Sequence, residues 1–345
     1  MGLKDEIFEQ PAVLQNVLDR QWEQVQSIAR ALKERAIDYV FLAARGTSDN
    51  AGLYAKYLWG SINHLPIALA APSLFSLYRQ PPRLNKALVV GVSQSGQSPD
   101  IVSVVAEGRR QGNPSLAITN DVNSPLAEAA EFVLDISAGA EKAVAATKTY
   151  TAQLMTIAMV SVALAGDEDR LEGLKRVPAL VSEALALDSS IAQVAERYRY
   201  MEQCVVLGRG YNYATAYEWS LKMKELAHVI AEPYSSADFL HGPVAIVGQG
   251  FPVMAVAIHG PVYDDTVALL SRLREAHLAE LLVITNRPQA LSLARAPLTL
   301  PDDLPEWLSP IVTIVPAQLF CYYLTRARGF DTEAPRGLTK VTKTQ

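Results

Sequence analysis

The chain has 345 residues, 50% of them hydrophobic and 19% charged, with a formal net charge of -5. That length allows two ordinary domains with cores of their own, and the composition is that of a well-packed globular protein. The acidic balance excludes a surface that attracts polyanions, so nucleic acid is not an expected partner, and any phosphate must be held by a local cradle.

The two cysteines, Cys204 and Cys321, have no CxxC spacing, which argues against a disulfide framework and a structural zinc site. The histidines (His64, His228, His241, His259 and His277) form no HxxxH or HExxH pair, so no metal is expected. The start, Met1-Gly2-Leu3-Lys4-Asp5-Glu6, is acidic and amphipathic, unlike a signal peptide. Leu154 to Ala165 reads as the most apolar stretch and is too short to span a bilayer, so a cytoplasmic protein without a membrane partner is expected.

In chain order, Ile7 to Leu32 reads as helix, with Pro11 near its start. Short apolar runs then alternate with amphipathic ones. Tyr39–Ala43, Ala87–Val92, Leu116–Thr119 and Phe132–Ile136 read as buried strands of a parallel sheet covered on both faces. Tyr150 to Arg199 lacks linker composition and should be packed helices. The second half repeats the plan at Cys204–Gly208, Val253–Ile258, Leu281–Thr285 and Leu298–Leu300. Arg45-Gly46 matches Arg209-Gly210, and Ile118-Thr119-Asn120 matches Ile284-Thr285-Asn286, at nearly one offset. That points to an internal duplication, although any two α/β domains can share such fragments.

Ligands of open α/β sheets bind beyond the carboxyl ends of the strands. Two turns rich in Gly and hydroxyls belong there: Gly46-Thr47-Ser48 and Ser93-Gln94-Ser95-Gly96-Gln97-Ser98. Before helices, they offer backbone N–H groups and hydroxyls to a phosphate dianion; the plainer reading is an N-cap and turn. In Glu141–Thr149, the run Thr147-Lys148-Thr149 either closes the same pocket or starts a helix.

A helix running through Glu218, Lys222, Glu225 and Val229 would stripe its charges, ordinarily as a surface ion-pair ladder. Glu232-Pro233 should end it, and Asp238 to Pro243 should form a tight turn holding His241 before the next strand. A carboxylate and an imidazole near one sugar can open its ring and move a proton between C1 and C2. The tail from Pro335 to Thr342 reads as a disordered basic end. Its lysine could act as an imine nucleophile only over a pocket that lowers its pKa.

At these residues the chain resembles double sugar isomerase (SIS) domain proteins, chiefly the isomerase half of the glutamine–fructose-6-phosphate amidotransferases, also called glucosamine-6-phosphate synthases. The resemblance rests on Gly46-Thr47-Ser48, Ser93-Gln94-Ser95-Gly96, Ala146-Thr147-Lys148-Thr149, Lys222-x-x-Glu225, His241-Gly242-Pro243 and the Pro335–Lys340 tail, in that order. It covers almost the whole chain, from the Glu9-Gln10-Pro11 helix onward.

It implies two flavodoxin-like α/β SIS domains, at 36–165 and 200–330, with an N-terminal helical segment at 1–35, connecting helices at 166–199 and an active-site tail at 331–345. It implies that Gly46, Thr47, Ser48, Ser93, Gln94, Ser95 and Ser98 hold the phosphate and hydroxyls, with Val144 and Ala145 lining the pocket. Glu225 would carry the proton, with Lys222 beside it, and Lys340 would form an imine with an open-chain ketose. His241 would assist ring opening from the neighbouring subunit of a homodimer, and no cofactor would be needed.

There are departures. The amidotransferases start with a glutaminase domain carrying a nucleophilic cysteine, where this sequence has Gly2, so ammonia from glutamine by that route is not expected. Gln97 replaces the usual Glu of Ser-Gly-Glu, Ala146 a Ser or Thr, and Leu240 a Lys. The expected reaction is glucosamine-6-phosphate to fructose-6-phosphate and ammonia, or its ammonia-dependent reverse. Galactosamine-6-phosphate or a fructosamine phosphate are alternative substrates, and a non-catalytic phosphosugar sensor is an alternative function. A nucleotide-dependent oxidoreductase is disfavoured, because Gly208-x-Gly210 lacks its third glycine, with Tyr213 in that place.

Overall fold

The computed structural model describes residues 2–340. They divide into two compact units. The N-terminal unit takes Glu9–Lys142, Ala146–Arg176 and 339–340; the C-terminal unit takes 2–8, Ala143–Ala145 and Val177–Leu338.

The elements run α1 (Leu3–Phe8), α2 (Gln10–Lys33), β1 (Tyr39–Ala43), α3 (Thr47–Asn63), β2 (Ile67–Leu69), α4 (Ser73–Ser76), β3 (Ala87–Ser93), α5 (Pro99–Arg110), β4 (Ser115–Thr119), α6 (Pro125–Ala129), β5 (Phe132–Asp135) and α7 (Lys148–Ala165). They continue with α8 (Glu168–Leu185), α9 (Asp188–Arg197), β6 (Gln203–Gly208), α10 (Tyr213–Ala227), β7 (Ile230–Ser235), α11 (Ser236–Phe239), β8 (Pro252–Ala257), α12 (Tyr263–Glu275), β9 (Glu280–Thr285), α13 (Pro288–Leu293), β10 (Ala296–Thr299) and α14 (Ser309–Ala327).

Each unit holds a five-stranded sheet, ordered β2-β1-β3-β4-β5 in one and β7-β6-β8-β9-β10 in the other. Every adjacent pair is parallel. The two orders are the same flavodoxin-like order, as a duplication requires, and the chain reverses direction across the sheet between β1 and β3 and between β6 and β8.

The apolar runs form the central strands because both faces are covered. All seven residues of β3 are buried, and at Gly91 a Cβ would come within 2.7 Å of Leu126 and 2.8 Å of Val105. In the N-terminal unit, the almost wholly buried α7 packs on α2 and α3. Trp59 Nε1 donates to the Ile157 carbonyl at 3.0 Å, and Asn63 Nδ2 to the Ser161 carbonyl at 2.9 Å. In the C-terminal unit, α14 packs against α9 and α10.

Five readings need correction. Helix does not run unbroken from Ile7 to Leu32: α1 ends at Phe8, and α2 opens with Pro11 in its first turn, where a missing N–H costs nothing. The helix expected to reach Val229 stops at Ala227, because His228 caps it in the left-handed region at φ 52°. Glu232 and Pro233 then lie inside β7, an edge strand where a missing N–H is tolerated. The Asp238–Pro243 segment is not one tight turn. It contains the end of α11 and the start of a 3-10 turn, Pro243–Ile246. A longer apolar stretch than Leu154–Ala165 also exists: Glu306–Ala327 is long and apolar enough to cross a membrane, but 94% of its most apolar window is buried in the protein.

Candidate functional site

In the N-terminal unit, the two expected loops follow β1 and β3, neighbours in register with Ala43 opposite Gly91. Gly46 turns at φ 53° to start α3, and the Ser48 N–H donates to the Arg45 carbonyl. Ser48 is buried in the first turn, where its hydroxyl accepts from Gln153 Nε2 of α7 at 3.0 Å. With a lone pair so engaged, the Ser48 proton is left to donate onward.

The serine loop is held from several sides. The Gly96 N–H donates to Ser93 Oγ at 3.1 Å, and the Gln97 N–H to Ser95 Oγ at 3.3 Å. The carbonyls of Gln94 and Gly96 accept from the N–H groups of Asn120 and Leu126. Gly96 has φ 61° and leaves no room for a side chain, since a Cβ would stand 2.0 Å from Ser124 Oγ. Ser98 is the extended N-cap of α5, but its side chain caps nothing. The plain N-cap reading therefore does not account for the Ser98 hydroxyl, which makes no cap bond at this helix start. Across the two loops, Arg45 Nε donates to the fully buried Asp100 carboxylate at 2.8 Å.

Lys340 ends the described tail in an ion pair, with Nζ 2.6 Å from Glu141 Oε2. Glu141 has no exposed side-chain surface. Its Oε1 accepts from the Thr147 and Thr149 N–H groups at 2.9 and 3.2 Å, and its Oε2 also accepts from Thr149 Oγ1 at 2.8 Å. Thr147 and Lys148 start α7, which is the second of the two readings left open for them. Lys148 is itself buried and paired with Glu9 at 2.5 Å. Val341 and Thr342 of the expected tail lie outside the described residues.

In the C-terminal unit, the Glu218–Lys222–Glu225 stripe is no surface ladder. Lys222 is buried, with Nζ 3.4 Å from the fully buried Glu218 and 2.5 Å from Glu225. Burial works against the ammonium, but the charges and hydrogen bonds of Glu218 and Glu225 outweigh it and hold the lysine above its ordinary pKa. The Glu225 side chain stays 22% exposed, so its carboxylate is reachable while the cation beneath it is not. His241 is exposed, and its backbone N–H donates to the Asp238 carbonyl at 3.0 Å. Val144 and Ala145 fall in the C-terminal unit.

The SIS domain pattern matches residues 36–163 and again 199–327. The chain belongs to the SIS domain family. Glutamine–fructose-6-phosphate aminotransferase (isomerizing) of Thermus thermophilus is 36% identical over 348 aligned positions, covering 97% of this SIS chain and 57% of that protein. The chain thus spans little more than half the length of that curated relative. A solved C-terminal domain of glucosamine–fructose-6-phosphate aminotransferase from Francisella tularensis superposes with a TM-score of 0.88 at 29% identity, covering 96% of this chain and 98% of that one. This SIS chain is therefore homologous to the isomerase half of those enzymes. A glucosamine-6-phosphate deaminase from Thermotoga maritima has a TM-score of 0.79 at 21% identity over 99% of both chains, a likeness of fold alone.

Sequence reasoning passed over three residues of these sites. Glu141 was read only as the edge of a candidate segment, because its partners lie six and eight residues ahead and at the far tail. Gln153 looked like one polar residue in an apolar helix; its position on the buried α7, level with Ser48, was the available signal. Asp100 looked like a first-turn helix acid, and only the fold brings Arg45 to it.

Proposed function

We propose that this SIS chain is an aldose–ketose isomerase of phosphorylated amino sugars, converting glucosamine-6-phosphate to fructose-6-phosphate and ammonia. The observation that carries this reading is Glu225, a solvent-reachable carboxylate backed by a buried, charge-paired lysine. A phosphosugar sensor needs the serine loop but has no use for such a proton carrier.

In this reading Ser48, Ser93, Gln94, Ser95 and Ser98, with the Gly46 and Thr47 backbone, hold the phosphate and sugar hydroxyls, and Val144 and Ala145 line the pocket. His241, from the neighbouring subunit of a cytoplasmic homodimer, assists ring opening. Glu225 takes the proton from C2 of the open aldehyde and returns it to C1, while one proton of the C2 amine passes to O1, so that the aldehyde becomes an alcohol and the amine an imine. Water adds to that imine, expelling ammonia and leaving the C2 ketone of fructose-6-phosphate. Lys222 orients Glu225 through its 2.5 Å ion pair, and Lys340 engages the ketose as an imine. The reverse reaction would use free ammonia.

Ammonia release should be measured with glucosamine-6-phosphate, galactosamine-6-phosphate and unphosphorylated glucosamine. Release from one phosphorylated sugar alone is the expected result and names the epimer. Silence from all three, with fructose-6-phosphate still bound, would overturn the deaminase reading in favour of another phosphosugar or a sensor.

A further inference from the structure

We infer that Glu141 is the positioning residue for Lys340, fixing where the tail amine stands when it meets a ketose carbonyl. The inference deepens the proposed function and rests on its reading of Lys340 as the imine-forming lysine. Glu141 divides its two oxygens between two tasks. Oε1 accepts both N–H groups at the start of α7, from Thr147 and Thr149, so the carboxylate is anchored to a rigid, buried helix. Oε2 accepts from Thr149 Oγ1 and from Lys340 Nζ at 2.6 Å, so the anchored group in turn holds the amine.

The Lys340 side chain is 25% exposed whereas Glu141 is wholly enclosed. The lysine is thus the reachable partner and the carboxylate its support. A charge-assisted bond to an immobile acceptor gives the amine a defined position. Held amines react with bound carbonyls faster than free ones because translational and rotational freedom is already restricted.

The chemical step balances on the lysine and the sugar alone. An ammonium has no lone pair, so Lys340 first releases one proton to water. The amine then adds to C2 as the carbonyl opens to a hydroxyl, which takes one N–H proton, regains the released one and leaves as water. The product is an iminium with one proton on nitrogen. Glu141 is a carboxylate before and after, and it stabilises the cation in both states.

The test is borohydride trapping of fructose-6-phosphate on the full chain, read by mass spectrometry of the Lys340 peptide. Binding of fructose-6-phosphate and the melting temperature are followed alongside. Glu141→Gln is the informative variant, because its amide oxygen still accepts from Thr147 and Thr149 while the charge facing Lys340 is gone. Labelling at least ten times slower than wild type, with the phosphosugar Kd within two-fold and the melting temperature kept, is expected. A purely structural role would instead lower melting temperature and affinity together, leaving the labelling rate of the saturated protein unchanged.

Labelling of saturated E141Q at the wild-type rate would overturn the inference alone. No label in wild type, with binding intact, would remove the reading of Lys340 and this inference with it. Should E141Q fail to fold, Glu141→Asp carries the same test. Its shorter side chain draws the carboxylate away from Nζ, and an unchanged labelling rate there overturns the inference equally.

Discussion

Lys222 Nζ lies 2.5 Å from Glu225 Oε2 and 3.4 Å from Glu218 Oε1, one buried ammonium between two carboxylates of very different exposure. Glu218 is enclosed, whereas the Glu225 side chain reaches solvent.

Glu225→Gln keeps the shape and a hydrogen-bond acceptor but removes the base. Turnover should fall by about 10³-fold or more, in line with loss of a general base, while phosphosugar affinity changes little. Steady-state ammonia release and calorimetric binding read the two quantities separately, and near-normal turnover would remove Glu225 from the reaction. Lys222→Ala should act differently, leaving Glu218 buried without its cation and costing about 3 kcal/mol or more of stability. Denaturant unfolding measures this.

Gln153→Leu tests how Ser48 is aimed. The amide of Gln153 engages the Ser48 oxygen, and without it the hydroxyl can rotate to a partner of its own. Loss of one oriented hydrogen bond is worth about 1 kcal/mol, so phosphosugar affinity should weaken about five-fold. Titration with fructose-6-phosphate checks it, and unchanged affinity would detach Ser48 from the ligand.

Gly96→Ala should be poorly tolerated. The backbone at φ 61° disfavours a side chain, and the new Cβ would fall on the Ser124 hydroxyl and Cβ, 2.0 and 2.4 Å away. Together these should cost about 3 kcal/mol and displace the serine loop. Thermal melting and loss of phosphosugar binding are the readouts.

Glu306 gives a pH-dependent test. Burial pushes its carboxyl up to about 6, so the folded chain holds this proton more tightly than the unfolded chain. Its stabilising contribution is complete in acid and is lost as pH rises from the ordinary carboxylate range through about 6. Glu306→Gln should therefore match wild type near pH 4 and exceed it near pH 8. The gain should be about 1 kcal/mol, the full linkage value being reduced for solvent screening of a half-buried group. Denaturation midpoints at the two pH values decide it.

Much of this was legible in advance. Eight of the ten strands among the described residues announced themselves as apolar runs, six of them central strands covered on both faces and two, β5 and β10, at sheet edges. The two that were missed, β2 and β7, are edge strands following the left-handed histidines His64 and His228. One is three residues long and the other carries Glu232 and Pro233, so neither shows a buried run. Charge spacing correctly put Glu218, Lys222 and Glu225 on one stripe, but spacing does not say which way a stripe faces. Here α10 turns it inward at Glu218 and Lys222. The link from Glu141 to Lys340 spans most of the chain and exists only once the fold closes.

The matching strand orders make the C-terminal sheet a second copy of the same plan, but the residues at its carboxyl edge differ. At the carboxyl end of β8, in the place that the serine loop takes after β3, stand His259 and Gly260. A Cβ on Gly260 would meet the Glu306 carboxylate at 2.3 Å, so an acid group lies directly on that edge. A sugar phosphate arriving there would meet a like charge instead of hydroxyls. The duplicated architecture should therefore titrate with one equivalent of phosphosugar per chain.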